Sequence, residues 1–180
     1  MVLINSSEPT AGDVSDCFNL SIGASERTIL KGGASEPYYK PGSPHVIFFR
    51  DDYIRSALHE VAHWCVAGTA RRALSDYGYW YAPDGRNEAQ QMAFYGVEVK
   101  PQAIEKAFCR ALCIEFTVSV DNLSVSPSDP AIGSFEAAVD LEFERIASTG
   151  LPPRAEVFRK ALAEYRQFQD WRIQRLGKED

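Results

Sequence analysis

The sequence predicts a mainly helical α+β domain with a small β-sheet. Long stretches with helical periodicity occupy the middle and the C-terminal half of the chain. Two short runs, 27–31 and 45–50, contain β-branched and aromatic residues bounded by Gly and Pro, which is typical of strands. With 180 residues, 45% of them apolar, the chain can bury one substantial core. We therefore expect a flexible N-terminus at 1–15, a single domain at 16–176 and a solvated tail at 177–180.

The first helix with strong periodicity follows the second strand. Asp51 or Asp52 is a suitable N-cap, and Gly68 is a candidate left-handed terminator after about Ala67. The apolar residues between these limits recur every three or four positions and predict a packed stripe, formed by Ile54, Leu58, Val61 and Cys65.

Further helices are predicted towards the C-terminus. The region 87–113 is helical in pattern, and Pro101 predicts either a kink or a new start near Glu98. Residues 116–120 are a candidate strand. A helix should follow from Ser134 to before Gly150, and a last one should run from the prolines at 152–153 to about 169.

Composition excludes several classes of function. A net charge of −6 argues against a nucleic-acid-binding surface, which is normally basic. No apolar stretch approaches the roughly 18 residues needed to cross a bilayer, so no membrane association is expected. The N-terminus lacks the basic start and apolar run of a signal peptide, which favours a cytoplasmic location. The four cysteines form no CxxC pair, and we interpret the pair Cys109 and Cys113 as core residues rather than a second metal site.

The most informative motif is His59-Glu60-Val61-Ala62-His63. On a helix, residues four apart leave the same face about 6 Å apart along the axis, close enough to bind one metal ion. Because the chain has three histidines in total, this spacing predicts a metal-binding helix.

The third ligand must come from elsewhere in the chain. His45 is the remaining imidazole, but its position at the start of a strand gives it no special spacing. Glu98 is the better candidate, because it lies between two valines and a partly buried carboxylate needs a metal or a cation as partner. Gly96 would allow a close approach to the first helix.

Two imidazoles and one carboxylate support two different chemistries. With zinc, the metal polarises a carbonyl and activates water while Glu60 accepts a proton, as in a peptidase or amidase. With ferrous iron, three ligands on one face leave positions for dioxygen and substrate. The short motif by itself favours zinc.

The segment 68–86 that follows the helix contains four aromatic residues and several charges. Composition alone suggests that these aromatics pack in the core. However, the stretches HEVAHWCVAG, ARRALSDYGYWYAPDGR and VEVKPQA occur in an order and at separations similar to those of the elongation factor P hydroxylase family. The resemblance covers most of the chain outside its two ends.

This resemblance implies a zincin-like fold and hydroxylation of a lysine on translation elongation factor P, usually after a β-lysyl group has extended it. It further implies that His59, His63 and Glu98 hold one divalent metal, most consistently Fe(II), with dioxygen as co-substrate. Glu60 would then orient a ligand or receive the lysine ammonium. Acidic and aromatic residues of the second stretch would bind the substrate. The candidates are Asp76, Tyr77, Tyr79, Trp80, Asp84 and Arg86.

The helical site argues against 2-oxoglutarate as co-substrate, because enzymes that use it usually carry their ligands on a β-jelly roll. A two-iron site is disfavoured, since the ExxH spacing used in di-iron bundles occurs once. The alternatives to a hydroxylase are a zinc-dependent HExxH peptidase or amidase, and a non-catalytic metal-binding module that docks on the translation factor.

Overall fold

The computed structural model describes the backbone of residues 8–78, 85–122 and 124–176, and the side chains of these residues up to 170. The helices are α1 (Ala11–Leu20), α2 (Ile22–Ser25), α3 (Ile54–Val66), α4 (Thr69–Arg72), α5 (Glu88–Leu112), α6 (Pro130–Thr149) and α7 (Pro153–Leu176). The strands are β1 (Thr28–Ala34), β2 (Tyr38–Lys40) and β3 (His45–Arg50). The predicted class, mainly helical α+β with a small sheet, is confirmed. No helix in the described ranges is long and apolar enough to cross a membrane.

The three strands form one sheet in the order β1-β3-β2, with β1 parallel and β2 antiparallel to β3. Burial alternates along each strand, as expected when one face packs on the core and the other meets solvent. Leu30, Ile47 and Tyr39 form one inward-facing row across the sheet. Helix α3 packs against this inner face, which places its histidines beside the sheet.

Aromatic contacts hold α3 and α5 in position. The ring of Phe18 on α1 meets Trp64 of α3 edge-on at 5.2 Å and Phe158 of α7 at 5.5 Å. Phe158 in turn meets Phe108 of α5 at 5.0 Å. All four side chains are fully buried, and such edge-to-face pairs each add about 0.5–1.5 kcal/mol beyond the area they bury. The two helices that carry the candidate ligands therefore share one rigid core.

The predicted limits of α3 were partly wrong. The N-cap position is Tyr53, which makes no side-chain cap, so neither Asp51 nor Asp52 caps the helix. Asp51 lies in the preceding turn with φ +46°. It ends at an extended Ala67, and Gly68, with φ −70°, is not a left-handed terminator.

No new helix begins near Glu98, because α5 continues through Pro101 as one helix. The proline has no backbone N–H to donate to the carbonyl of Val97, and its ring is buried in the core side of α5. The helix ends at a left-handed Cys113, which is exposed, so its assignment to the core was wrong, whereas Cys109 is buried as predicted.

The segment 116–120 is not a strand, contrary to the prediction. Side chains, rather than a neighbouring strand, provide its hydrogen bonds. The Gln102 side-chain Nε2 donates to the Ser119 carbonyl at 2.8 Å, and its Oε1 accepts from the Ser119 backbone N–H at 2.9 Å. Arg55 donates to the Thr117 carbonyl at 2.6 Å. These contacts are non-local, so the local pattern could not indicate them.

Other boundaries also differ from the predicted ones. Helix α1 begins at Ala11, inside the expected flexible end, because Thr10 and Asp13 form a capping box. Helix α6 begins at Pro130 after the cap Asp129, four residues before Ser134, and α7 continues to Leu176. Strand β2 was not predicted.

Candidate metal centre and substrate pocket

The two histidines of the HExxH motif point to a common spot from α3. Their Nε2 atoms are 3.0 Å apart, and their ring centroids are separated by 4.6 Å. Val61 and Ala62 lie between them and are fully buried, so the histidines sit at the edge of the packed stripe. The helical spacing predicted from the sequence therefore brings both imidazoles together.

Glu98 reaches the same spot from α5. Its Oε1 lies 3.1 Å from His63 Nε2, and its Oε2 lies 3.5 Å from His59 Nε2. The Gln102 amide donates to Glu98 Oε2 at 3.3 Å and is itself held by the backbone of Ser119. Glu98 is 1% exposed, so a nearly inaccessible carboxylate faces two imidazole nitrogens.

The geometry of these three residues fits a metal ion. One ligand atom from each lies within 4.8 Å of the others, and the measured separations are 3.0–3.5 Å. Ligands about 2.1 Å from an ion are separated by about 3.0 Å in octahedral and about 3.4 Å in tetrahedral coordination. His59, His63 and Glu98 thus form a group that could hold one ion with little rearrangement.

Glu105 completes the centre and was missed in the sequence analysis. Its Oε2 lies 2.9 Å from His59 Nδ1, while its Oε1 accepts from Arg55 Nε at 2.6 Å. A carboxylate on Nδ1 makes that nitrogen the protonated one and leaves Nε2 as the metal-facing lone pair. The available signal was the spacing of Glu98, Gln102 and Glu105, which places three polar residues on one face of α5.

Burial and charge oppose one another at these residues. Burial is the largest influence on Glu98 and raises its pKa, but His63, His59 and Gln102 outweigh it and lower the pKa to about 2. Burial is also the largest influence on His59 and lowers its pKa, but the hydrogen bond to Glu105 and the charge of Glu98 raise it to about 10. In the metal-free protein, Glu98 is therefore ionised and His59 protonated at neutral pH.

This charge state predicts proton release on metal binding. His59 must lose its proton to become a ligand, so we expect it to contribute about one released proton, and affinity should rise about tenfold per pH unit between pH 7 and 9. The same shift affects the stability of the metal-free protein. Folding raises the His59 pKa from 6.5 to about 10, so protonated His59 stabilises the fold in full below pH 6.5. That contribution is lost as the pH rises through about 10. Titration calorimetry in buffers of different ionisation enthalpy measures the number of protons released on metal binding. A metal affinity that does not change with pH would contradict the prediction.

The three residues lie in a pocket of about 420 Å³, within the range of about 300–1,000 Å³ usual for ligand sites. Six acidic and two arginine side chains line it among the described residues. Burial raises the pKa of the Glu60 carboxyl, as does Glu98, whereas His59 and His63 lower it. The lining side chains are Glu36, Pro37, Tyr38, Arg50, Tyr53, Arg55, Ser56, His59, Glu60, His63, Asp76, Tyr77, Phe94, Glu98, Gln102, Glu105, Ser119 and Asp121.

A left-handed turn at Asp76, Tyr77 and Gly78 forms part of the pocket wall, with φ values of 47°, 58° and 69°. Left-handed backbone costs about 1–2 kcal/mol at each non-glycine residue, so tertiary contacts must hold the turn. Asp76 Oδ1 accepts from the Tyr39 amide at 2.7 Å, and the Tyr77 ring stacks on Tyr39 at 4.4 Å. The Tyr77 hydroxyl is buried without a hydrogen-bond partner in the ranges that the structure describes.

The structure places the remaining candidates as follows. Arg86 is buried outside the pocket lining, where it donates to Gln91 and to the Asp121 carbonyl and lies 4.1 Å from the Phe94 ring centroid. His45 is hydrogen bonded to the Tyr39 hydroxyl through Nδ1 and takes no part in the centre. Tyr79, Trp80 and Asp84 lie outside the described residues.

Most of the chain matches a known protein family. Residues 17–176 match the model of the family described as elongation factor P hydroxylase. The chain belongs to the elongation factor P hydroxylase family. A curated relative, the elongation factor P lysine hydroxylase of Haemophilus influenzae, is 43% identical over 162 residues, which cover 88% of this chain and 90% of the relative. The resemblance predicted from the sequence is confirmed, and the hydroxylase family match spans both α3 and α5.

Proposed function

We propose that this protein hydroxylates a lysine side chain of elongation factor P by means of a metal ion bound to His59, His63 and Glu98. The observation that carries the proposal is the convergence of these residues at a pocket within the region matched by the hydroxylase family. The zincin-like relationship is part of the proposal and is supported by an HExxH helix packed against a small sheet.

The proposed metal is Fe(II), with dioxygen as co-substrate and without 2-oxoglutarate. Two imidazoles and one carboxylate would hold the ion and would leave coordination positions for dioxygen and substrate, a donor set typical of non-haem iron oxygenases. Bound iron would supply the dioxygen activation needed to oxidise a carbon–hydrogen bond. Glu105 keeps the His59 tautomer and ring orientation suitable for a ligand, and Gln102 keeps Glu98 in place.

The charge of the pocket suits a cationic substrate. Glu98 faces the histidines, Glu105 is paired with Arg55, and the Asp121 carboxylate lies 3.5 Å from Arg86. Three further lining carboxylates can bind ammonium groups: Glu36, Glu60 and Asp76. A β-lysyl group acylates the lysine ε-amine and brings two new amino groups. An elongated side chain with two positive charges therefore fits an acidic pocket better than a single lysine does.

Glu60 and Tyr77 have positioning roles in this proposal. Glu60 lies next to the buried Val61 in the middle of α3 and carries a carboxyl whose pKa is raised by burial, so an ammonium nearby would favour its ionised form. The Tyr77 ring is nearly inaccessible to solvent and excludes water from the wall of the pocket.

Replacing Glu60 with glutamine discriminates a hydroxylase from a peptidase. Because hydroxylation needs no water-activating base, we expect Glu60→Gln to retain hydroxylation with kcat/KM lowered about 10-fold through weaker ammonium binding. A zinc peptidase would instead lose about 1,000-fold or more with its general base. The exposed Glu144→Gln on α6 is the matched control. Loss of all metal-dependent activity, with the metal still bound, would contradict the hydroxylase assignment.

Intact-mass analysis tests the proposed function directly. The protein is reconstituted anaerobically with Fe(II) or with Zn(II) and then incubated in air, together with a reductant, with elongation factor P that does or does not carry the β-lysyl group. A gain of one oxygen atom with Fe(II) supports hydroxylation, and cleavage with Zn(II) supports the peptidase or amidase. Stable complex formation without a mass change supports the non-catalytic module.

A further inference from the structure

The outer face of the sheet is a solvent-exposed surface beside the pocket. Because side chains alternate along strands, the residues next to the buried rows point away from the core. The outward set is Ile29 and Lys31 on β1, Tyr38 and Lys40 on β2, and Val46, Phe48 and Arg50 on β3. We refer to these seven residues as the outer sheet face.

The charge of the outer sheet face is opposite to that of the protein as a whole. The chain has a net charge of −6, but the three strands that the structure describes contain no acidic residue. Lys31, Lys40 and Arg50 provide three positive charges on this face. The adjacent turn places Asp51 Oδ2 3.8 Å from Arg50 Nε, which offsets part of the Arg50 charge, so the positive charge of the face comes mainly from Lys31 and Lys40.

Apolar groups lie between these cations. Phe48 is paired with Lys31 on one side and with Tyr38 on the other, and the rings of Phe48 and Tyr38 stack at 4.2 Å with an interplanar angle of 13°. Ile29 and Tyr38 are each 41% exposed. Aromatic side chains and arginine are enriched in protein–protein interfaces, which agrees with Tyr38, Phe48 and Arg50 on this face.

The outer sheet face is continuous with the mouth of the pocket. Tyr38 and Arg50 belong to the face and also line the pocket. Tyr53, which follows β3 and is 56% exposed, lines the pocket on the same side. A lysine on a folded protein can enter this pocket only if the surface around that lysine meets the surrounding rim. The outer sheet face is therefore well placed to contact a protein substrate.

We propose that the outer sheet face docks the protein substrate through acidic side chains that flank its target lysine. This inference rests on the proposed function and adds the surface and the charge by which the partner is recognised. The division of charge has a physical advantage: the acidic pocket attracts the cationic side chain, whereas the basic face attracts its acidic surroundings. A free lysine or a polycation would be repelled by the face.

The test uses Lys31→Glu/Lys40→Glu, because neither lysine lines the pocket and both are exposed. Lys100→Glu/Lys160→Glu on α5 and α7 is the matched control, with the same change in charge on exposed helix surfaces. Titration calorimetry measures the Kd for β-lysylated elongation factor P in the Zn(II)-loaded protein at low and high salt. Mass analysis of the Fe(II)-loaded protein measures hydroxylation, and circular dichroism checks the fold.

We expect the outer-face variant to bind about 10-fold or more weakly at low salt and the control to bind within about twofold of wild type. At 0.5 M salt the difference should shrink, while the Ile29→Thr variant should still bind more weakly than wild type. Unchanged affinity of the outer-face variant, with hydroxylation intact in wild type, would overturn the docking surface and leave the proposed function standing. If wild type neither binds nor modifies the factor, both proposals fail. Salt-sensitive binding of an RNA oligonucleotide, lost in the same variant, would also overturn a protein as occupant.

Discussion

Replacement of Glu98 by glutamine is expected to lower hydroxylation at least about 100-fold and to reduce bound metal to a small fraction of one ion per chain. The glutamine amide lacks the negative charge of the carboxylate but has nearly the same volume. The surroundings of position 98, which is 1% exposed, should therefore stay packed. Loss of a direct ligand should exceed the 10–100-fold cost usual for a residue that merely orients one. Atomic emission measures the metal after dialysis, and mass analysis measures the hydroxylated product.

The exposed Glu88→Gln, on the same helix, is the control for this substitution. It should bind a full complement of metal and retain activity, because Glu88 lies at the start of α5, away from the centre. A Glu98→Gln protein that still binds one ion per chain and hydroxylates at more than a tenth of the wild-type rate would remove Glu98 from the ligand set.

Replacement of Glu105 by glutamine should affect both metal affinity and stability. His59 loses the carboxylate that selects its tautomer, so metal affinity should fall about 10–100-fold. Arg55 loses an ionised partner at 2.6 Å, and its side chain is 15% exposed. Because Arg55 keeps its hydrogen bond to the Thr117 carbonyl, we expect the free energy of unfolding to fall by about 1–3 kcal/mol. Competition with a chromophoric chelator gives the affinity, and urea unfolding of the metal-free protein gives the stability.

Two further variants separate these effects. Arg55→Lys disturbs the pair with Glu105 but leaves the carboxylate on His59, so it should lower stability more than metal affinity. The exposed Glu115→Gln should change neither quantity. Wild-type metal affinity in Glu105→Gln would show that Glu105 has a structural role alone.

Local patterns predicted much of the fold. The strands at β1 and β3, the helix that carries His59 and His63, and the C-terminal helices were all expected, because each depends on residues close together in sequence. Errors arose where non-local contacts prevailed. Residues 116–120 are held by the Gln102 and Arg55 side chains instead of a strand partner, and Pro101 is accommodated within α5.

In the candidate metal centre, too, local patterns predicted some residues and non-local contacts determined others. The spacing of His59 and His63 placed both on one face of a helix, and the surroundings of Glu98 indicated a buried carboxylate. Glu105 could not be assigned, because its role depends on which atoms of α3 and α5 face each other. Arg86 was proposed for the substrate, but packing against Phe94 buries it away from the pocket lining.

The amino-acid sequence alone determined the helical class, the paired imidazoles and the membership of a hydroxylase family, because periodicity, spacing and motif order are properties of neighbouring residues. Tertiary structure decided that α5 lies against α3, that Glu105 orients His59, and that a basic, aromatic sheet face borders an acidic pocket. These features depend on how a shared core of aromatic rings brings distant segments together. Such contacts have no local pattern in the chain.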